Sequence, residues 1–154
     1  MVAAIAARTS RESRMEVAQL QEFGTKYTAA WCSQNARSVA AFFAEGGSLK
    51  INDGAPSVGR AAITAAAQGF MTAFPDMVVM MDGVSAEGNR VIYRWTLTGR
   101  NTGPGGTGKA VRMNGYEEWT ISADGLIAES KGHFDETEYN RQLKVGFEES
   151  RTVL

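Results

Sequence analysis

Arg112-Met113-Asn114-Gly115-Tyr116-Glu117-Glu118-Trp119-Thr120-Ile121 reads as a strand that carries a carboxylate on its apolar face. With a period of two, one face presents Met113, Gly115, Glu117, Trp119 and Ile121, and the other presents Arg112, Asn114, Tyr116, Glu118 and Thr120. An unpaired buried charge costs several kcal/mol, so Glu117 must be paired, protonated or at work in a cavity. What surrounds Glu117 therefore decides its role.

Extended segments flank this stretch on both sides, at Met77–Ala86, Arg90–Asn101 and Leu126–Phe134, with the stretch itself running from Lys109 to Ser122. Glu87-Gly88-Asn89, the glycine-rich 102–108 and Ala123-Asp124-Gly125 join them, and such short connections predict antiparallel pairing. Upstream, Leu20, Phe23, Tyr27 and Trp31 recur at helical spacing between Met15 and about Gln34. Asn35 caps a shorter helix in which Val39, Phe42 and Phe43 face inward before Gly46-Gly47 ends it. Ser48–Asp53 is a brief strand, 54–59 is turn-rich, and Ile63, Ala67, Phe70 and Phe74 mark a third helix over Arg60–Phe74, closed by Pro75. Asp135 and Glu138 form a capping pattern ahead of a C-terminal helix marked by Tyr139, Leu143 and Phe147. The prediction is an α+β fold: a curved, mostly antiparallel sheet covered by three N-terminal helices and a C-terminal helix, with a pocket on the covered face.

Length and composition narrow the function. The 154 residues, 44% of them apolar, suit one domain over 15–154, with 1–14 read as a flexible N-terminal tail. Sixteen basic residues against seventeen acidic ones leave a net charge of −1, which is no footprint for nucleic acid or an anionic membrane. No apolar run approaches the roughly 20 residues that span a bilayer. The single cysteine, Cys32, and the absence of an Asn-x-Ser/Thr acceptor favour a reducing compartment, with the cytoplasm as the expectation.

Two stretches resemble a known superfamily. Phe43-Ala-Glu45, Lys50-Ile-Asn-Asp53 and Val58-Gly-Arg60 with a helix behind them are similar to the first half of the NTF2-like cone-shaped α+β barrels. Arg94-Trp-Thr-Leu-Thr-Gly99, Thr107-Gly-Lys109, Asp124-Gly-Leu-Ile-Ala-Glu129 and Phe134-Asp135 resemble the second half of the SnoaL-like branch. The resemblance runs from Leu20 to about Phe147 and implies a deep apolar cavity with a few polar groups at its floor, in a superfamily that mixes enzymes with binding and transport modules. It places the catalytic arginine of limonene epoxide hydrolase on Arg94 and a water-positioning asparagine on Asn52, but the two aspartates of that enzyme fall on Thr96 and Gly132. The aspartate of the polyketide cyclases also falls on Gly132, and their histidine falls at or beside Glu117. Epoxide hydrolysis by that mechanism is therefore disfavoured, and Glu117 becomes the candidate acid or base.

On the barrel plan the interior presents Lys50 and Asn52, Arg94 and Thr96, Met113, Glu117 and Trp119, then Ser130 and Phe134, while the family's apolar lining falls on Trp31, Phe70, Phe74, Tyr139 and Phe147. Glu117 is then either neutralised by Arg94 or Lys50 in a packing ion pair, or a general acid or base tuned by desolvation against those cations. Arg94 is either that charge partner or a fork for a ligand oxygen. A one-residue slip would turn Lys50 and Asn52 outward. His133, the lone histidine, alternates away from Ser130 and reads as structural or interfacial. Gly103–Ala110 nearly spells a phosphate loop but lacks the Ser or Thr for magnesium and joins two strands. No metal site and no cofactor are expected. Both faces of 77–82 are largely apolar, which suits helices on one side and a second subunit on the other, and the family often dimerises through its outer sheet face.

The expected function is a cofactor-independent enzyme of isomerase, cyclase, dehydratase or hydrolase type acting on a largely apolar, neutral small molecule. Glu117 moves a proton in that reading, and Arg94, with Asn52 or Lys50, stabilises charge on oxygen. The alternatives are a non-catalytic binder of small hydrophobic ligands and a protein-interaction module.

Overall fold

A computed structural model describes residues 16–147. The elements are α1 (Val17–Cys32), α2 (Ala36–Ala40), β1 (Phe43–Ile51), β2 (Ser57–Val58), α3 (Arg60–Ala73), β3 (Val78–Glu87), β4 (Arg90–Arg100), β5 (Ala110–Ile121), β6 (Ile127–Phe134) and α4 (Glu136–Val145). They form one six-stranded, curved and unclosed sheet in the order β2-β1-β6-β5-β4-β3, with α1 packed on β3, α3 on β1 and α4 on β5. All pairs are antiparallel except β1 with β6. The expected α+β architecture, with three helices before the main sheet and one after, is the observed one. The tail assigned to 1–14 lies outside the described residues.

Local chemistry explains the elements. In α1 the buried residues Leu20, Gly24, Tyr27, Ala30 and Trp31 form one stripe at helical spacing. Gly24 lets this helix approach the sheet, since a Cβ there would stand 2.7 Å from Met81 Sδ. The second helix is shorter than expected: Phe43 belongs to β1, where it is fully buried, and the glycines at 46 and 47 sit within that strand. Burial of the Phe43 ring outweighs its fit to a helical period. The turn-rich segment also supplies β2, which pairs with β1 at Ser48 and Leu49. Asp135 caps α4, its Oδ1 accepting from Glu138 N at 3.0 Å, and Tyr139 and Leu143 pack on the core.

Register assigns the faces. Across β4, β5 and β6 the rows Val91–Trp119–Ser130 and Tyr93–Glu117–Gly132 lie on the inner face, continued on β1 by Leu49 and Ile51. Arg94, Tyr116 and His133 form a row of the opposite face, as do Ile92, Glu118 and Lys131, which leads to Lys50. Glu117 is thus inside and Glu118 outside.

Four residues expected inside do not share that face. The Arg94 side chain is 51% exposed and reaches Glu87 Oε2 at 3.5 Å. Thr96 is buried but donates to Asp82 Oδ2 at 2.6 Å, beside the bulge between Met81 and Gly83. Lys50 and Asn52 border a groove on the outer side, and Asn52 Oδ1 accepts from Phe134 N at 2.9 Å, which ties the end of β1 to β6. The cause is period two: β4 turns Val91, Tyr93, Trp95 and Leu97 inward, so Arg94 and Thr96 must turn out.

Candidate active site

Glu117 stands at mid-strand in β5, 7% exposed, and one of its oxygens accepts three hydrogen bonds. Tyr27 Oη of α1 donates to Oε1 at 2.9 Å, Trp119 Nε1 of β5 at 2.8 Å and Ser130 Oγ of β6 at 2.8 Å. The three donors come from three elements, so folding itself assembles the clamp. Trp119 stacks on Tyr93 with centroids 4.9 Å apart, and Tyr27 meets both rings edge-on at 5.1 and 5.3 Å. Tyr93 Oη in turn lies 2.5 Å from Thr28 Oγ1 of α1. This aromatic block holds the donors in place.

Among the described residues no cation neutralises Glu117. Burial pushes its pKa up, and the donors pull the other way, Trp119 most and then Ser130 and Tyr27. Burial also holds Tyr27 well above the usual phenol range, with the Glu117 charge adding to the effect, so Tyr27 remains a donor. Outside, Glu118 accepts from Arg90 at 2.8 Å and meets His133 Nε2 at 2.7 Å, and the histidine chiefly holds its carboxyl below the usual range. His133 stacks on Tyr116 at 4.7 Å. The two adjacent glutamates are therefore shifted in opposite directions by opposite environments.

Glu117 Oε2 accepts no hydrogen bond among the described residues. It is also not sealed, because the one fully buried polar side-chain atom without a partner there is Trp31 Nε1. That indole N–H lies near enough to Tyr27 to favour the ionised phenol but makes no hydrogen bond to it. Oε2 accordingly opens onto the cavity that Glu117 lines. This cavity, of about 70 Å³, has a buried floor of Trp31, Leu49, Val79, Tyr93, Glu117 and Gly132 and a half-buried rim that includes Phe70, Trp95 and Phe134. It is about half the size of an apolar cavity of about 150 Å³ that takes benzene, so in this form it encloses part of a five- or six-membered ring, with the rest against the half-buried rim. A second, larger groove of about 990 Å³ lies on the outer sheet face, where Lys50, Arg94, Lys131 and His133 mix with Asp53, Asp82 and Asp135.

Of the residues selected from sequence, Glu117, Trp119 and Ser130 meet at one oxygen, and Trp31, Phe70 and Phe134 line the cavity beside it. Phe74 and Met113 are buried without lining it, and Tyr139 packs against Phe74 and Phe134 at centroid distances of 6.4 and 5.5 Å. Phe147 N donates to Ala110 O at 2.7 Å. Arg94, Lys50, Asn52 and Thr96 are not brought to Glu117. Sequence reasoning missed Tyr27 as a partner of Glu117, since 90 positions separate the two. It also missed Tyr93, Trp95 and Leu97, although the alternation of β4 marks them. Among the described residues no group of three or more His, Cys, Asp or Glu side chains is placed to hold a metal ion, and no helix is long and apolar enough to cross a membrane.

The profile of the SnoaL-like domain matches residues 25–130. No curated protein matches the sequence. Among solved structures, TsrD from Streptomyces laurentii superposes with a TM-score of 0.72 at 21% identity, covering 84% of this chain and 98% of that one. SalBIII, an epoxide hydrolase/cyclase-like enzyme with a role in pyran ring formation in the polyether salinomycin, gives 0.69 at 16% identity, covering 81% and 97%. A phenazine biosynthesis-related protein from Pseudomonas aeruginosa gives 0.66 at 15%, covering 82% and 88%. At these identities the structural likeness shows the fold alone. The matched profile spans well over half of the chain, on the same sheet that carries Glu117 and its clamp, and the chain belongs to the SnoaL-like family.

Proposed function

We propose that the protein is a cofactor-independent enzyme that moves a proton to or from a compact, largely apolar molecule, with Glu117 as the proton-transferring group. The observation that carries this reading is the asymmetric carboxyl: Oε1 is held by three donors and Oε2 opens onto an apolar cavity. A group meant only to fix packing has no need of an open edge. When the carboxyl gives up its proton, the Oε2–H bond breaks, an O–H bond forms on the ligand oxygen, and the donors on Oε1 stabilise the carboxylate left behind without reorganising. Isomerisation, cyclisation and dehydration all use such a step, and the role of SalBIII in ring formation agrees with one of them. Arg94 has no part in it, because it lies on the other side of the sheet.

The test is conversion of a library of small oxygen-bearing hydrocarbons by wild type and by Glu117→Gln. Turnover by wild type that falls at least about a hundredfold in the variant, the low end of a general acid–base contribution, supports the proposal. Equal turnover removes Glu117 from the mechanism.

A second reading, a binder of small apolar ligands without chemistry, is favoured by one observation: among the described residues no other ionisable side chain except the hydrogen-bonded phenol of Tyr93 lines the cavity. Ligand-induced thermal stabilisation with no product supports it. The outer-face residues Val78, Met80 and Tyr116, 48%, 43% and 40% exposed, are proposed as part of a contact between two copies of the chain, which the solution mass in sedimentation tests.

A further inference from the structure

We propose that Glu117 rests as the neutral acid with its proton on Oε2, so that the cavity selects a neutral oxygen acceptor such as a ketone, ether or epoxide and rejects ions of either sign. The inference rests on Glu117 being the functional group of the cavity and goes on to fix its protonation state and the ligand chemistry.

The geometry of the clamp says which oxygen carries the proton of the neutral acid. Trp119 Nε1 can only donate, so Oε1 must be an acceptor toward it, and Oε1 also receives the hydroxyls of Tyr27 and Ser130. Three donors on one oxygen leave the other as the place for the acidic hydrogen. The surroundings of Oε2 point the same way. Leu49, Ile51, Val79 and Leu97 and the rings of Phe70 and Phe134 offer it carbon, and among the described residues no Lys or Arg lines the cavity. Lys50, Arg94 and Lys131 border the groove on the far face of the sheet. An anionic Oε2 against such a wall has lost its water with no donor of its own in exchange, whereas a neutral carboxyl avoids most of that penalty. The upward push of burial on Glu117 agrees with this placement.

A neutral Oε2–H is a hydrogen-bond donor without a partner, inside a cavity that is otherwise almost wholly apolar. A ligand that brings one acceptor oxygen satisfies it; a hydrocarbon leaves it unsatisfied, and each ion is stripped of water without a counter-charge. An ammonium ligand belongs to the opposite state, in which Glu117 rests ionised. Trp31 Nε1, the other donor without a partner beside this cavity, also favours an acceptor oxygen, so the rejection of an ammonium ligand, read with the carboxyl vibration, reports the proton.

The experiment has two arms on the intact chain. Infrared spectra at neutral pH are expected to show a protonated-carboxyl C=O band that disappears in Glu117→Gln. Calorimetry with cyclopentanone, cyclopentane, cyclopentylammonium and cyclopentanecarboxylate is expected to rank the ketone about tenfold tighter than the hydrocarbon, with no saturable binding of the two ions. Glu117→Gln keeps the preference for the ketone, because its amide donates from the same place. Absence of the band, tighter binding of the ammonium than of the ketone, or binding of none of the four overturns the proposal. None of these readouts depends on turnover, so a missing substrate conversion speaks against the enzymatic reading and leaves this one to be judged by itself.

Discussion

Glu117→Gln is expected to change how stability depends on pH, and the sign of the change separates a desolvated acid from an ion pair. In the folded protein burial raises the Glu117 pKa above the ordinary glutamate value of 4.5, so between 4.5 and the folded value the native state holds a proton that the unfolded chain has released. Stability from this group is therefore fully present below 4.5 and is lost as pH rises through the folded pKa, by about 1.4 kcal/mol for each pH unit of that window. Glutamine copies the neutral acid: its oxygen serves Tyr27, Trp119 and Ser130, and its nitrogen takes the place of Oε2. The two proteins should thus be close in stability near pH 5, and wild type should lose ground to the variant as pH rises toward 8. Every other titrating group is shared and cancels in the difference. Glu117→Ala is the control; it strands three buried donors at roughly 1–3 kcal/mol each and is destabilising at every pH. Urea unfolding of all three proteins from pH 5 to 8 is the assay. A pH-independent difference refutes the reasoning, and a wild type that gains on the variant as pH rises shows a resting carboxylate, held by its donors or by a cation.

Further outcomes follow from single contacts. Gly132→Ala places a Cβ 3.4 Å from Lys50 O and 3.9 Å from Glu117 Cγ, so it should change stability by less than about 1 kcal/mol while weakening ligands in the cavity that Gly132 lines, read by calorimetry. Trp119→Phe removes the donor that most lowers the Glu117 pKa and should cost about 2 kcal/mol, with the pH window in urea unfolding extended upward. Arg94→Ala removes a half-exposed side chain from the outer face and should leave cavity binding unchanged and stability within about 0.5 kcal/mol. Gly115→Ala drives a methyl group into the backbone carbonyl oxygen of His133 and to 2.6 Å from Trp95 Cζ2, and should destabilise by about 3 kcal/mol, seen as a lowered melting temperature.

The fold was legible because its signals are local. Alternation in β5 separated Glu117 from Glu118, the helical stripe of α1 set Tyr27 and Trp31 on one face, and Asp135 marked the start of α4. Half of the site followed from the same strand pattern, since Glu117 and Trp119 are two apart and Ser130 lies across the ladder from Trp119. The other half was not local. Tyr27 reaches Glu117 through the close packing of α1 on β3, which the missing side chain of Gly24 favours, and nothing in the spacing of 27 and 117 encodes that approach. Arg94, Thr96, Lys50 and Asn52 were misplaced for a different reason. The family motif places Arg94 and Thr96 inside, whereas the period of Arg90–Arg100 turns Val91, Tyr93, Trp95 and Leu97 inward, and Lys50 lies on the outward positions of β1 in the same way. In that strand periodicity was the better guide than resemblance.

A crystal structure of the protein with bound cyclopentanone tests the central claim most directly. The ring should lie between Trp31, Phe70, Trp95 and Phe134 with its oxygen about 2.6–3.2 Å from Glu117 Oε2. A ketone found instead in the outer groove beside Lys50 and Arg94, or in the cavity with its oxygen turned away from Glu117, would contradict the account.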